Sequence, residues 1–78
     1  MDFVRLDRAD TVVTATRSLS PGCEIEQIAT RSAIPSGHKV ATQAMAAGDA
    51  VRKYAQVIGY ASCEILPGDH VHTHNVDF

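Results

Sequence analysis

One short pattern occurs four times in this chain: an apolar residue, two residues, a glycine, two residues, an apolar residue. The copies are Leu19-Ser20-Pro21-Gly22-Cys23-Glu24-Ile25, Ile34-Pro35-Ser36-Gly37-His38-Lys39-Val40, Met45-Ala46-Ala47-Gly48-Asp49-Ala50-Val51 and Ile65-Leu66-Pro67-Gly68-Asp69-His70-Val71. Four of the five glycines and all three prolines fall in these copies. Proline sets φ near −65° and a following glycine permits φ > 0, so each copy reverses the chain. The flanking apolar residues then end one short strand and begin the next. Intervals of 15, 11 and 20 residues separate the glycines at 22, 37, 48 and 68, too irregular for a solenoid.

Between the turns, Thr11-Val12-Val13-Thr14-Ala15-Thr16 is β-branched, and Val51-Arg52-Lys53-Tyr54 alternates. Val57-Ile58-Gly59-Tyr60-Ala61 reads as a strand whose glycine admits a bulge or a close backbone. Residues 71–76 alternate as another strand, and residues 25–32 lean toward loop and strand. Residues 41–47 are rich in helix formers and end at Gly48, which predicts one short helix. The expectation is one mainly all-β domain over residues 1–78.

A 78-residue chain buries about 60% of its unfolded surface. With no Trp, two Phe and two Tyr, aliphatic side chains must fill the core, Tyr54 being expected among them. Ligand pockets of roughly 300–1,000 Å³ need more walls than this, which points to a subunit, accessory domain or binding module. Net charge is −2 without a basic run, which disfavours nucleic acid. No apolar run approaches the ~18 residues of a membrane span. The start, Met1-Asp2-Phe3, has no signal-peptide pattern and reads as a true N-terminus, which makes a cytoplasmic location the expectation. Cys23 and Cys63 lack metal-ligand spacing and are expected to be reduced and structural.

Three of the four histidines crowd into Pro67-Gly68-Asp69-His70-Val71-His72-Thr73-His74-Asn75. On a strand, side chains at every second position share a face. With a rise of ~3.3 Å per residue, neighbours in that series stand ~6.6 Å apart and the ends ~13 Å apart. Metal–nitrogen bonds are about 2 Å, so a straight strand lets His70–His72 or His72–His74 share an ion, but not all three. A half-exposed polar strand face explains the same alternation.

Residues 34–76 resemble the small N-terminal domain of altronate and galactarate dehydratases, a SAF-type domain with a β-clip fold. The resemblance rests on Gly37-His38-Lys39, Gly48, Val51, Lys53-Tyr54, Ile58-Gly59, Gly68, Val71-His72, His74 and Asn75. Similarity extends more weakly to Asp10-Thr11-Val12 and Leu19-Ser20-Pro21-Gly22. The family's Lys-Tyr-Gly is Lys53-Tyr54-Ala55 here, a cost of about 1 kcal/mol if that position has φ > 0.

The resemblance implies a small subunit or N-terminal domain of a sugar-acid hydro-lyase, with a much larger catalytic subunit or domain as partner. The small subunit of sulfolactate sulfo-lyase is a similar relative. Dehydration of a sugar acid abstracts the proton α to the carboxylate and expels the β-hydroxyl. The resemblance selects His72 and His74 as catalytic candidates and best metal candidates, and leaves His70 at a free surface position. It makes His38, Lys53 and Asn75 the substrate-binding candidates, and implies iron(II) or manganese(II). A stand-alone carbohydrate-binding or assembly module of SAF type is the alternative. The thin core and short strand edges fit a homodimer under either reading.

Overall fold

The computed structural model describes residues 2–78, so the Met1 of the expected start lies outside the described residues. Among the described residues nine short strands follow in order: β1 (Phe3–Val4), β2 (Val12–Ala15), β3 (Glu24–Ile25), β4 (Ile28–Ala29), β5 (Lys39–Ala41), β6 (Ala50–Lys53), β7 (Gln56–Ala61), β8 (His70–Val71) and β9 (Val76–Asp77). All pairings are antiparallel, in sheets ordered β1-β2-β5-β8 and β6-β7-β9 and a separate β3-β4 hairpin.

The four copies of the turn pattern form four equivalent turns. In each, the residue after the glycine donates its backbone N–H to the carbonyl three residues back, as Cys23 to Ser20, His38 to Pro35, Asp49 to Ala46 and Asp69 to Leu66. The glycine φ values run from 81° to 90°, the left-handed region that a type II turn demands at this position. Asp49 and Asp69 each also accept, through a carboxylate oxygen, the N–H of the residue three before them, Ala46 and Leu66.

These turns associate in two pairs. Leu19 bridges Ile34, and Met45 bridges Ile65. Within each pair the contacts are reciprocal: Gly22 N–H donates to Thr30 and Gly37 N–H to Ala15, while Gly48 N–H donates to Ala61 and Gly68 N–H to Ala41. Each pair closes its own core. Leu19, Ile25, Ile34 and Val40 pack with Val13 and Ala15. Met45, Val51, Ile65 and Val71 pack with Val12, Ala41, Ala61 and Val76. Strands β2 and β5 form the shared wall, because successive side chains point to opposite faces. The paired residues Val13 and Val40 enter one core, and the paired Val12 and Ala41 enter the other.

Residues 41–47 are not helical, and no helix is present among the described residues. Met45 is 2% exposed and bridged to Ile65, a placement that a helix would break. Burying such a side chain is worth roughly 1.5–3 kcal/mol. Helix propensities differ by only tenths of a kcal/mol per residue, and two turns are too short to nucleate alone. Residues 71–76 are likewise not one strand. After β8 the chain turns, with Asn75 N–H donating to His72 carbonyl, and returns as β9.

Among the described residues four polar side chains are buried, Asp10, Thr11, Thr30 and Asn75, and each hydrogen-bonds to backbone. Thr11 accepts from Arg52 N–H, and Thr30 accepts from Cys23 N–H and donates to Ser20 carbonyl. The Asp10 carboxylate accepts from Tyr54 and Ala55 N–H. Those two residues form the β6–β7 turn with φ of 55° and 65°. Tyr54 is therefore a turn residue, 41% exposed, and not part of the core. Ala55→Gly removes the left-handed strain, so it is expected to raise stability by about 1 kcal/mol in denaturant titration. Gly59 lies flat against β9, where an added Cβ would meet the Asp77 carbonyl oxygen at 2.5 Å. The β6–β7 register shifts between Val51 and Arg52, next to Gly59. Cys23 is half-buried beside one core and Cys63 is exposed, both as free thiols.

Candidate functional site

The pairing of β5 with β8 brings His38 to the terminal histidines. Val40 lies opposite His70 and Lys39 opposite Val71, so the continued register sets His38 across from His72. The rings of His38 and His72 stack with centroids 4.2 Å apart, and those of His38 and His70 at 5.1 Å. His38 Nδ1 and His70 Nε2 share a hydrogen bond of 2.9 Å. One ring nitrogen each from His38, His70 and His72 lies within 4.8 Å of the other two. His72 Nδ1 is buried without a hydrogen-bond partner. His74 is exposed, and its ring leans on His70 at 5.2 Å.

Asn75 holds this loop in place. Its Oδ1 accepts from His72 N–H and its Nδ2 donates to the His70 carbonyl. Both ends of its amide are thereby used within the loop. Removal of those bonds by Asn75→Ala strands two backbone groups, for an expected loss of about 2 kcal/mol in thermal unfolding and a loosened histidine cluster in NMR.

The electrostatics favour uncharged rings. Partial burial, followed by the neighbouring His38, His74, His72 and Lys39, pushes His70 below the usual imidazole range. Partial burial, then His38, Lys39 and His74, does the same to His72. Lys39 is itself lowered, first by burial and then by Lys53. Its Nζ sits 5.7 Å from the Phe78 ring centroid, while Lys53 Nζ sits 4.8 Å over Tyr54. The result is an open surface of imidazole nitrogens beside two lysine side chains, suited to exchange protons, ligate a metal or face an anion.

His38 and His72 therefore meet directly. His74 stands at the rim, Asn75 sits beneath, and Lys53 approaches through Lys39. His70 and Lys39 belong to the same surface. The signal for them lay in the turn pattern: His38 follows the second turn glycine by one residue, and His70 follows the fourth by two. The strands that leave those turns pair with each other.

Among known proteins, the model of the altronate/galactarate dehydratase SAF domain matches residues 1–78. Altronate dehydratase of Bacillus subtilis (strain 168) is 34% identical over 77 residues, 94% of this chain and 16% of that protein. Altronate dehydratase of Escherichia coli (strain K12) is 35% identical over 79 residues, again 16% of its length. The (2R)-sulfolactate sulfo-lyase subunit alpha of Paracoccus pantotrophus is 47% identical over 49 residues, 63% of this chain and 73% of the subunit. The chain thus spans about a sixth of the dehydratases it matches, and a large part of the sulfo-lyase subunit. A match over the whole chain places this protein in the altronate/galactarate dehydratase SAF domain family.

Proposed function

We propose that this chain is the SAF-type unit of a sugar-acid lyase and lends its histidine–lysine surface to an active site completed by a larger catalytic partner. The observation that supports this reading is the juxtaposition of His38, His70, His72 and His74 with Lys39 on an open face. In this reading the cluster is one open wall of the site, and the partner supplies the opposite wall.

In this reading Lys53 and Lys39 attract the substrate carboxylate, with His38 as a further donor. His74, exposed at the rim, gives or takes a proton as the β-hydroxyl leaves. His72 sits one layer deeper, against His38, and Asn75 positions both loop histidines. The family resemblance implies iron(II) or manganese(II), and such an ion, when bound, stabilises the enolate form of the carboxylate. The imidazole nitrogens of His38, His70 and His72, with the unpartnered His72 Nδ1, fit an ion of the iron(II) type better than manganese(II), which prefers oxygen.

The test is reconstitution with a large catalytic subunit and assay on altronate, galactarate and sulfolactate. His74→Ala and His72→Ala are each expected to lower kcat by about 10²–10⁴-fold, the usual worth of a positioned proton-transfer group. Full rate in both variants would exclude the shared-site role.

A further inference from the structure

Three imidazoles from two chain segments 32 residues apart converge on one face. His70 and His72 come from the start of β8 and the loop after it, and His38 from the turn before β5. Their backbones are held independently of any ligand. The Gly37 turn fixes His38, and the Asn75 amide bridges the His70 carbonyl and the His72 N–H. Buried ring nitrogens normally have partners. His72 Nδ1 has none, and His38 Nδ1 has only the ring of His70.

Metal–nitrogen bonds of 2.0–2.1 Å place the nitrogens of a tetrahedral site roughly 3.3 Å apart. One nitrogen from each ring already lies within 4.8 Å of the others, and His38 Nδ1 and His70 Nε2 stand 2.9 Å apart. The His38 ring lies 26° and 19° from parallel to those of His70 and His72, so the rings must splay to share an ion. The Cβ–Cγ torsion of histidine is broad, so this takes side-chain rotation and no change of backbone. The donor set is three imidazoles without a carboxylate, which selects late first-row transition ions over magnesium or calcium. The nearby Asp69 is committed to Arg31 and to Leu66 N–H. Lys39 lies close enough to repel a cation, so the affinity falls below that of a four-ligand structural site.

We propose that His38, His70 and His72 bind one divalent late first-row transition ion and leave part of its coordination sphere open. Binding of the ion stands on this geometry alone. Use of the open positions by the hydroxyl and carboxylate of a sugar acid rests on the lyase reading above.

The experiment uses the 78-residue chain, stripped with chelator and titrated with cobalt(II) and zinc(II). Calorimetry and the visible absorption of cobalt are the readouts, so no lyase activity is required. One equivalent of each ion is expected to bind, with magnesium(II) failing to compete. His38→Ala, His70→Ala and His70→Gln should each weaken binding by roughly tenfold or more. Cys63→Ser should leave it within about twofold, because that exposed thiol is not among the converging ligands. Absence of saturable binding, or binding that survives the changes at His38 and His70, would overturn the proposal. Should a variant unfold, zinc-induced shifts in the imidazole resonances of the unmodified chain decide. Shifts at His38, His70 and His72 support the site, and shifts confined to other residues refute it. Metal binding with an inactive reconstituted enzyme would leave this site standing and remove the lyase reading.

Discussion

Gly68→Ala is expected to unfold most of the molecules at room temperature, whereas Gly48→Ala should leave a folded and weakened domain. Both glycines have φ of +90°, so both replacements incur the same left-handed strain, about 1–2 kcal/mol. They differ in what surrounds them. An added Cβ at Gly48 meets nothing within 4 Å, while at Gly68 it runs into the backbone carbonyl oxygen of Ala29. That carbonyl cannot swing aside. Gly68 is buried there, its own carbonyl accepts from Arg31 N–H, and Arg31 Nε is 2.7 Å from Asp69. The whole contact ties the fourth turn to β4, and so joins the two cores. A domain of this length holds about 4–12 kcal/mol in total. Overpacking against backbone adds several kcal/mol to the strain, enough to consume most of that margin. Denaturant titration of the two variants side by side measures the difference. Equal losses would mean that the Ala29 contact carries no weight.

Asp10→Ala is expected to cost about 3 kcal/mol or more, although Asp10 belongs to no strand. Its carboxylate accepts from Tyr54 and Ala55, and hydrogen bonds to a charged group are worth about 1.5–3 kcal/mol each. Both donors lie in one of the two turns, among the described residues, whose non-glycine residues have positive φ, the other being Glu26–Gln27 between β3 and β4. Removal of the carboxylate therefore releases a strained turn and strands two N–H groups together. The same group sets an acid limit. Burial pushes the Asp10 carboxyl up, but the N–H groups of Ala55, Tyr54 and Asp7 and the charge of Arg5 outweigh it and hold it below the usual aspartate range. A carboxyl lowered in the folded state binds its proton more readily when unfolded. Its stabilisation is thus complete above the ordinary aspartate range and is lost as pH falls through the lowered folded value. Melting temperature should fall steeply on acidification through that range in the natural chain. Asp10→Ala should flatten the profile, and an unchanged acid limb would contradict this assignment.

The eight apolar positions of the four turn copies were legible in the sequence, and all eight are buried. The glycine at the centre of each copy fixes a local geometry, so the flanking residues follow from short-range rules. The partnership of copies did not show in the same way, because it is set by contacts between distant residues such as Met45 and Ile65. That pairing also overrode the helical preference of residues 41–47. The histidines divide along the same line. Alternation along one strand placed His72 beside its neighbours, but a straight strand could not foresee the turn held by Asn75. Nor could it reveal that His38, far away in the chain, would pack across from His72. The Tyr54-Ala55 turn was half visible: the family glycine flagged Ala55 as a positive-φ position, and the ring of Tyr54 was misplaced in the core.

The four turns also explain why a histidine can stand at position 38. In the third and fourth turns the residue after the glycine is Asp, committed to the N–H of Ala46 or Leu66. The equivalent position in the second turn is Pro35, and proline has no N–H to satisfy. The proline thus excuses its turn from carrying a carboxylate cap. Residue 38 is thereby free of the capping bond, and its imidazole turns instead toward His70. Within one repeated module, a position that caps the turn in two copies is released from that duty in a third.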